Sequence, residues 1–244
     1  MKMAGKAVLV TGGSRGLGAE TARVLAARGA RVVVAARPSA ELEAVVSSIR
    51  AAGGEAHAVA ADLGRKEDIV PLAGSAAALV GALDAVVHNA STLGPVPLRA
   101  LSDTTCEDLA QVLEVNLLGP FRLTKELLGP MVLRESGLVV AVTSDAGSVP
   151  YEGWGAYGVS KAALDHLLRI WAEEVGRSGV RLLSVDPGEM DTAMHAQALP
   201  EADRSTLARP RDVALRLVDL MEAAETLPSG ARVVLEQWAA PVRR

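Results

Sequence analysis

Cysteine and aromatic side chains are scarce in this sequence, and basic residues are not in excess. The 244 residues include one cysteine, three tryptophans, two tyrosines and one phenylalanine. The single cysteine, Cys106, excludes an internal disulfide and a cysteine-based metal cluster. The four histidines (57, 88, 166 and 195) show no ligand spacing, so no metal site is predicted. A net charge of −4 lacks the basic footprint of a nucleic-acid-binding protein.

Long apolar runs are also missing, although hydrophobic residues make up 50% of the sequence. No run reaches the length needed to span a membrane. The first residues lead directly into an apolar strand pattern, without the pattern of a signal peptide. We therefore expect a soluble cytoplasmic protein with no membrane partner. The hydrophobic content is sufficient for the core of one large α/β domain.

A glycine-rich loop follows the first apolar run, residues 6–11, and precedes an amphipathic stretch that continues to about Arg28. Glycines let backbone N–H groups approach a pyrophosphate, and the helix N-terminus adds a partial positive charge. The spacing Gly-x-x-x-Gly-x-Gly differs by one residue from the common dinucleotide fingerprint. A tight turn without a ligand is the alternative. The predicted cofactor contacts in this loop are Gly12, Ser14, Arg15, Gly16, Leu17 and Gly18.

The end of the second apolar run indicates which dinucleotide is bound. In dinucleotide-binding folds, a carboxylate at this strand end accepts the ribose hydroxyls and would repel a 2′-phosphate. This chain has Ala36 followed by Arg37, and Arg15 in the glycine loop supplies a second cation. The sequence therefore predicts NADP(H) rather than NAD(H) as the cofactor.

Strand and helix patterns alternate along the chain, which predicts a parallel sheet with helices on both faces. The expected strands lie near 6–11, 31–36, 55–60, 84–89, 137–143, 180–185 and 231–236. The expected helices lie near 17–28, 39–52, 66–80, 104–133, 156–176 and 210–224. No linker or charge block separates two domains. We predict one Rossmann-type, doubly wound α/β domain of about seven strands over residues 1–244.

Tyr157 and Lys161 are four residues apart in a predicted helix, which places both side chains on the same face. Free tyrosine titrates near pH ~10, too high for a base at neutral pH. A neighbouring cation favours the phenolate and lowers this pKa. Ser144 could hold a substrate oxygen beside the pair. The pattern therefore predicts a proton donor and acceptor in an active site.

The chain resembles the short-chain dehydrogenase/reductase family of the single-domain type, and within it the 3-oxoacyl-ACP-reductase-like ketoreductases. The resemblance covers nearly the whole length, and the motifs occur in the family's order. They are Thr11-Gly12-(x3)-Gly16-Leu17-Gly18, Asp62-Leu63, Asn89-Ala90, Asn116, Ser144, Tyr157-(x3)-Lys161 and Pro187-Gly188-(x3)-Thr192.

The resemblance implies catalytic roles for four residues. Tyr157 would protonate a carbonyl oxygen, or act as the base in the reverse direction, and Ser144 would orient that carbonyl. Lys161 would lower the pKa of Tyr157 and hold the hydroxyls of the nicotinamide ribose. Asn116 would interrupt the fourth helix and hold a water that links Lys161 to solvent.

The resemblance also implies a set of cofactor contacts outside the glycine loop. Asp62 would accept a hydrogen bond from the adenine amino group, and Leu63 would pack beside the ring. The remaining contacts are Asn89, Ala90 and Ser91 near the adenosine ribose, and Pro187, Gly188, Met190 and Thr192 over the nicotinamide carboxamide.

Three segments depart from the family pattern or from regular structure. The family's Asn-Asn-Ala-Gly reads here from His88 to Ser91, and we expect His88 to be a packed side chain at a strand end. Near the C-terminus, Val-Val-Leu-Glu-Gln-Trp replaces the common Val-Asn-Gly-Gly. Residues 189–209 carry few aliphatic anchors, so we expect a mobile lid over residues 189–205, with an ordinary surface loop as the alternative.

These patterns predict an NADP(H)-dependent oxidoreductase that reversibly reduces a ketone or aldehyde to an alcohol. One alternative is an NAD-dependent alcohol dehydrogenase of the same fold, and another is a redox-inactive dinucleotide-binding regulatory protein. A small carbonyl or alcohol compound is the expected partner. A homo-oligomer, tetramer or dimer, is also expected, because the helices near 104–133 and 156–176 are more apolar than one sheet contact requires.

Overall fold

Seven apolar runs form one parallel sheet in the computed structural model, which describes residues 1–240. The strands are β1 (Ala7–Thr11), β2 (Arg31–Ala36), β3 (Glu55–Ala60), β4 (Ala85–His88), β5 (Gly137–Val142), β6 (Val180–Asp186) and β7 (Arg232–Val234). Their order across the sheet is β3-β2-β1-β4-β5-β6-β7. The predicted Rossmann-type α/β sheet is confirmed. The chain reverses its direction of winding between β1 and β4, where such sheets leave a crevice for a ligand.

Residues 1–240 contain eight α-helices, six of which pack on the two faces of the sheet. They are α1 (Gly16–Ala27), α2 (Ala40–Ala51), α3 (Lys66–Val80), α4 (Cys106–Leu113), α5 (Gly119–Leu133), α6 (Gly155–Val175), α7 (Ala193–Ala198) and α8 (Pro210–Glu222). One buried cluster joins α1, α2 and α8 to the sheet, and a second joins α3, α5 and α6. Successive strand residues alternate between the clusters, as Val8 and Leu9 do, because side chains along a strand point to opposite faces.

The helix expected over 104–133 is divided in the structure. A π-helical turn, Glu114–Leu118, separates α4 from α5 and has Asn116 at its centre. The interruption expected at Asn116 is therefore confirmed. Such turns inside helices occur often at functional sites.

The stretch 189–209 has more regular structure than the sequence indicates. It contains α7, a short 3₁₀ turn at Arg204–Thr206, and a β-bridge between Met190 and Ala208. Arg204 also forms an ion pair with Asp191. Local polar contacts thus take the place of the aliphatic anchors that the segment lacks.

Within residues 1–240, no helix is both long and apolar enough to cross a lipid bilayer. The same part of the chain contains no group of three metal-ligating side chains.

Candidate active site

The glycine loop fits closely against the end of β4. Gly12 has a φ of 65°, and a Cβ there would lie 2.7 Å from Cα of Ala90. A Cβ on Gly18 would lie 2.4 Å from the carbonyl oxygen of Gly12. A side chain at either position would separate β1 from α1 or from the β4 loop. The loop thus brings backbone N–H groups to the N-terminus of α1, the arrangement that binds a pyrophosphate.

Asn89 holds this loop in place from the neighbouring strand. Its Nδ2 atom donates to the carbonyl oxygens of Thr11 (3.1 Å) and Gly12 (3.0 Å). The Thr11 hydroxyl in turn accepts from the backbone N–H groups of Asn89 and Ala90. Both amide hydrogens of Asn89 are therefore used to shape the cofactor loop, and its predicted contact with the ribose stays a prediction.

Two exposed cations, Arg15 and Arg37, lie at the carboxyl edge of the sheet, and neither side chain forms a hydrogen bond or ion pair with residues 1–240. Arg15 interacts electrostatically with Glu41 in the first turn of α2. Ser39 caps the nearby N-terminus of α2 by accepting from the N–H of Leu42 at 3.2 Å. An added phosphate would meet two guanidinium groups and a helix N-terminus here.

The predicted adenine contacts lie at the end of β3. Asp62 Oδ1 accepts from the N–H of Gly64 at 2.9 Å, and Leu63 is buried. Leu63 packs against Gly119, where a Cβ would lie 2.5 Å from the Leu63 carbonyl oxygen. The turn that presents Asp62 is thus fixed against the start of α5.

Helix α6 brings Tyr157 and Lys161 to the carboxyl end of β5. Lys161 is 2% exposed, and its Nζ donates to the carbonyl oxygen of Val142 at 2.9 Å. The same Nζ lies 5.4 Å from the centre of the Tyr157 ring. Gly158 allows this approach, because a Cβ there would lie 2.6 Å from the carbonyl oxygen of Ala146. The predicted pair is therefore assembled beside the turn that carries Ser144.

Burial controls the ionisation of this pair. It lowers the pKa of Lys161 to about 8 and raises the pKa of Tyr157 to about 12. Interactions with Ser144 and Ser91 lower the Tyr157 pKa by less than burial raises it. The net pKa shift of Tyr157 in the protein alone is therefore upward, because burial acts against the lowering that the sequence analysis expects from Lys161. The sequence analysis considered the neighbouring cation and not the loss of water around the phenol.

Ser144 is linked to a carboxylate that the sequence analysis missed. Its Oγ donates to Asp145 Oδ1 at 2.9 Å, and the Tyr151 hydroxyl donates to Asp145 Oδ2 at 2.7 Å. Although burial raises the pKa of Asp145, the hydrogen bonds from Tyr151 and Ser144 lower it on balance. Ser144 must therefore turn from Asp145 before it can donate to a substrate. Its position directly before an acidic residue is the signal that could have shown this.

Asn116 connects the loop after β4 to α6. Its Oδ1 accepts from the N–H of Thr92 (2.8 Å) and from the Ser91 hydroxyl (3.2 Å). Its Nδ2 donates to the carbonyl oxygen of Thr92 and to the Ser160 hydroxyl, both at 2.9 Å. The side chain has no donor left for a water, and the predicted water contact stays a prediction.

His88 is a packed side chain, as expected. It is 2% exposed, and its Nε2 lies 2.8 Å from the Thr124 hydroxyl. Burial lowers the pKa of His88 to about 3, so the ring is neutral at physiological pH. A neutral imidazole is a poor general acid, so His88 is not a candidate proton donor.

The segment after β6 bends toward the glycine loop. Gly188 has a φ of 75°, and its N–H donates to Asp186 Oδ1 at 3.1 Å. Thr192 caps α7 through the N–H of His195, and its Cγ2 would lie 3.5 Å from a Cβ on Gly16. Residues 187–192 therefore lie across from the glycine loop, where the sequence analysis placed a cover for the nicotinamide.

Three of the six aromatic residues stand at the entrance to this site. The Tyr151 and Trp154 rings are 6.5 Å apart, and the Trp154 and Tyr157 rings are 5.6 Å apart. A small cavity continues outward from Tyr157, and its lining is mixed apolar and charged. The lining residues are Leu93, Pro95, Leu98, Arg99, Thr104, Asp108, Gly153, Ala156 and Tyr157.

A dinucleotide loop facing a buried tyrosine–lysine pair defines a nicotinamide-dependent oxidoreductase site. The short chain dehydrogenase family profile matches residues 6–203. The chain therefore belongs to this family, whose members are oxidoreductases acting on alcohol and carbonyl groups.

Individual relatives agree with this assignment. An uncharacterized oxidoreductase of Mycobacterium tuberculosis is 41% identical over 190 residues, or 77% of this chain and 70% of that protein. A short chain dehydrogenase of Shigella flexneri, solved with NADP, has a TM-score of 0.89 and 29% identity, over 96% of this chain and 98% of that one. A 7α-hydroxysteroid dehydrogenase, solved with NADH and 7-oxo glycochenodeoxycholic acid, has a TM-score of 0.88 and 27% identity, over 99% and 97%.

Proposed function

We propose that this protein is an NADP(H)-dependent carbonyl reductase that converts a ketone or aldehyde to an alcohol, reversibly. The observation that carries the proposal is the buried pair of Tyr157 and Lys161, held beside Ser144 at the carboxyl edge of the sheet. A phenol, an ammonium and a hydroxyl converge there on one small volume. This is the set of groups that protonates and orients a carbonyl oxygen.

The choice of NADP(H) is supported by two exposed cations, one after β2 and one in the glycine loop. Arg15 and Arg37 would neutralise a 2′-phosphate, and the N-terminus of α2 would add its partial positive charge. Structures of relatives include complexes with NADP and one with NADH, so family membership alone leaves the choice open. The residues of this chain favour the phosphorylated form.

Tyr157, Ser144 and Lys161 have separate roles in the proposed reaction. The bound nicotinamide supplies a hydride to the carbonyl carbon. Tyr157 donates its proton to the carbonyl oxygen, and Ser144 holds that oxygen in place. Lys161 has its Nζ between the Val142 carbonyl and the Tyr157 ring, where its charge favours the phenolate left after proton transfer. In the reverse direction the phenolate takes the alcohol proton.

Assembly into a homo-oligomer, tetramer or dimer, belongs to the same proposal. Phe121 of α5 and Trp171 of α6 stack with ring centres 5.3 Å apart. Apolar side chains remain exposed on these helices, including Leu133 (87%) and Ile170 (44%). A second copy covering the same two helices would remove this surface from water.

Oxidation of NADPH and NADH should be measured with a panel of ketones and aldehydes, alongside thermal shifts with each cofactor. We expect turnover of at least one carbonyl compound and a larger shift with NADPH. A larger shift with NADH would support the NAD-dependent alcohol dehydrogenase. A thermal shift without turnover of any compound in either direction would support a redox-inactive binding protein.

A further inference from the structure

An ion pair joins the last two strands next to the active site. Asp186 ends β6, and Arg232 begins β7, where it lies opposite Ser184 in the parallel ladder. The Arg232 guanidinium donates to Asp186 Oδ2 at 2.8 Å. The two side chains are 18% and 6% exposed, for Arg232 and Asp186 respectively. This burial makes the pair an internal contact, shielded from solvent and salt.

The same two side chains hold both loops that flank the reacting atoms. The Arg232 Nη2 atom also donates to the main-chain carbonyl oxygen of Ser144 at 3.2 Å. Asp186 Oδ1 accepts from the N–H of Gly188 at 3.1 Å. One ion pair therefore connects the residue expected to orient the carbonyl with the segment expected to cover the nicotinamide.

The pair also sets the charge that surrounds Tyr157. The carboxylates of Asp145 and Asp186 both raise the pKa of Tyr157, although less than burial does. Arg232 is also close enough to favour the charged form of Asp145. The other groups that face Tyr157 are Lys161 on the same helix, the hydroxyls of Ser91 and Ser144, and the Arg99–Asp108 pair across the cavity.

We propose that Arg232 is a positioning residue of the active site. Paired with Asp186, it fixes the main chain of Ser144 and offsets carboxylate charge that would otherwise hinder loss of the Tyr157 proton. It acts through Ser144 and Tyr157, with no contact to the reacting atoms. The inference rests on the proposed carbonyl reductase function for its catalytic consequence, whereas its electrostatic part concerns Tyr157 alone.

Two charge-removing variants separate this role from simple structural support. Arg232→Gln and Asp186→Asn break the same ion pair. Asp186→Asn is isosteric and keeps an oxygen for the Gly188 N–H, whereas the shorter side chain of Arg232→Gln also gives up the hydrogen bond to Ser144. Structural damage would shift the pKa of Tyr157 in the same direction in both variants. The electrostatic role requires opposite pKa shifts, because Arg232→Gln leaves a carboxylate without its counter-charge and Asp186→Asn leaves a guanidinium without one.

The pH profile of kcat/KM for alcohol oxidation is the first measurement, because this direction needs the phenolate. We expect the midpoint of the acidic limb to shift to higher pH by about half a unit in Arg232→Gln and to lower pH by about as much in Asp186→Asn. The matched control is Lys6→Gln, which removes a partly buried ion pair at the opposite edge of the sheet and should leave the limb in place.

The second measurement does not need activity. The chain has only two tyrosines, so in a Tyr151→Phe background the phenolate absorbance reports Tyr157 alone. At the highest pH that preserves the native circular dichroism spectrum, the phenolate fraction should rise in Asp186→Asn and fall in Arg232→Gln. If the two variants shift the phenolate fraction in opposite directions in a protein that shows no turnover, the electrostatic role of the ion pair is supported and the proposed function is rejected. Shifts in the same direction, or none, would overturn the inference.

Discussion

The two edges of the sheet differ in how many of their cations have a carboxylate partner. At the amino edge, Lys6 pairs with Asp84 at 3.0 Å, and Arg28 pairs with Asp219 (2.9 Å) and Glu222 (3.3 Å). These pairs join separate elements and leave each charge with a partner. At the carboxyl edge, Arg232 also pairs with Asp186, but the exposed Arg37 forms no hydrogen bond or ion pair with residues 1–240. The Lys161 ammonium donates to a backbone carbonyl rather than to a carboxylate.

This difference indicates which charged residues contribute to stability and which are available to bind a ligand. Paired charges at the amino edge have satisfied their interactions within the chain, so a ligand could gain little there. The buried Lys161 ammonium has no carboxylate partner and costs stability, whereas the exposed Arg37 stays hydrated and costs little. These are the charges that the proposed anionic cofactor and proton transfer would use.

Removal of the Tyr157 hydroxyl should have the largest effect. Tyr157→Phe deletes the proton donor and keeps the ring packed against Trp154, so NADPH binding should be nearly unchanged. We expect kcat to fall by roughly 10²–10⁴-fold. The control is Tyr151→Phe, which removes the other tyrosine hydroxyl. A Tyr157→Phe enzyme that keeps more than about half of the wild-type kcat would refute the assignment of Tyr157 as the acid.

A second test removes one of the free cations. Arg37→Ala should weaken NADPH binding by about ten- to a hundred-fold and NADH binding far less, because only NADPH carries a 2′-phosphate. Arg31→Ala, at the other end of the same strand, is the matched control and should not change the preference. Dissociation constants from fluorescence titration would decide the question. Equal losses for both cofactors would mean that Arg37 acts through folding.

The complementary change at the amino edge should affect stability alone. Asp84 accepts from Lys6 and from the N–H of Ala7, so Asp84→Ala leaves a backbone donor of β1 without its partner. We expect the free energy of unfolding to drop by about 1–3 kcal/mol in urea titrations. The dissociation constant of NADPH should stay at the wild-type value. A parallel loss of cofactor affinity would show that the two edges are not independent.

The sequence was sufficient for the sheet because each strand is a local apolar run. The structural bounds of β1, β2 and β3 differ from the expected ones by no more than one residue. The Asp186–Arg232 pair could not be foreseen, because the two residues are 46 positions apart and meet only through the pairing of β6 with β7. The net upward shift of the Tyr157 pKa could not be foreseen for a related reason. A neighbour four residues away is visible in the sequence, whereas burial depends on the whole fold.

The smallest effect is expected in residues 190–205, the segment that the sequence analysis expects to cover the nicotinamide. Its ion pair between Asp191 and Arg204 is exposed by 38% and 64%, so it should contribute only about 0–1 kcal/mol. We therefore expect residues 190–205 to exchange amide hydrogens readily in the free protein and more slowly with NADPH bound. Arg204→Ala should speed exchange a few-fold in the free protein.

Arg209→Ala is the matched control for this experiment, because it removes an exposed ion pair with Asp212 just beyond the segment. It should leave exchange across residues 190–205 unchanged. Slow exchange in the free protein, with no further slowing when NADPH binds, would identify the segment as a fixed wall. Substrate selection would then depend on the loop that carries Tyr151 and Trp154, where the Trp154 ring contacts both Tyr151 and Tyr157.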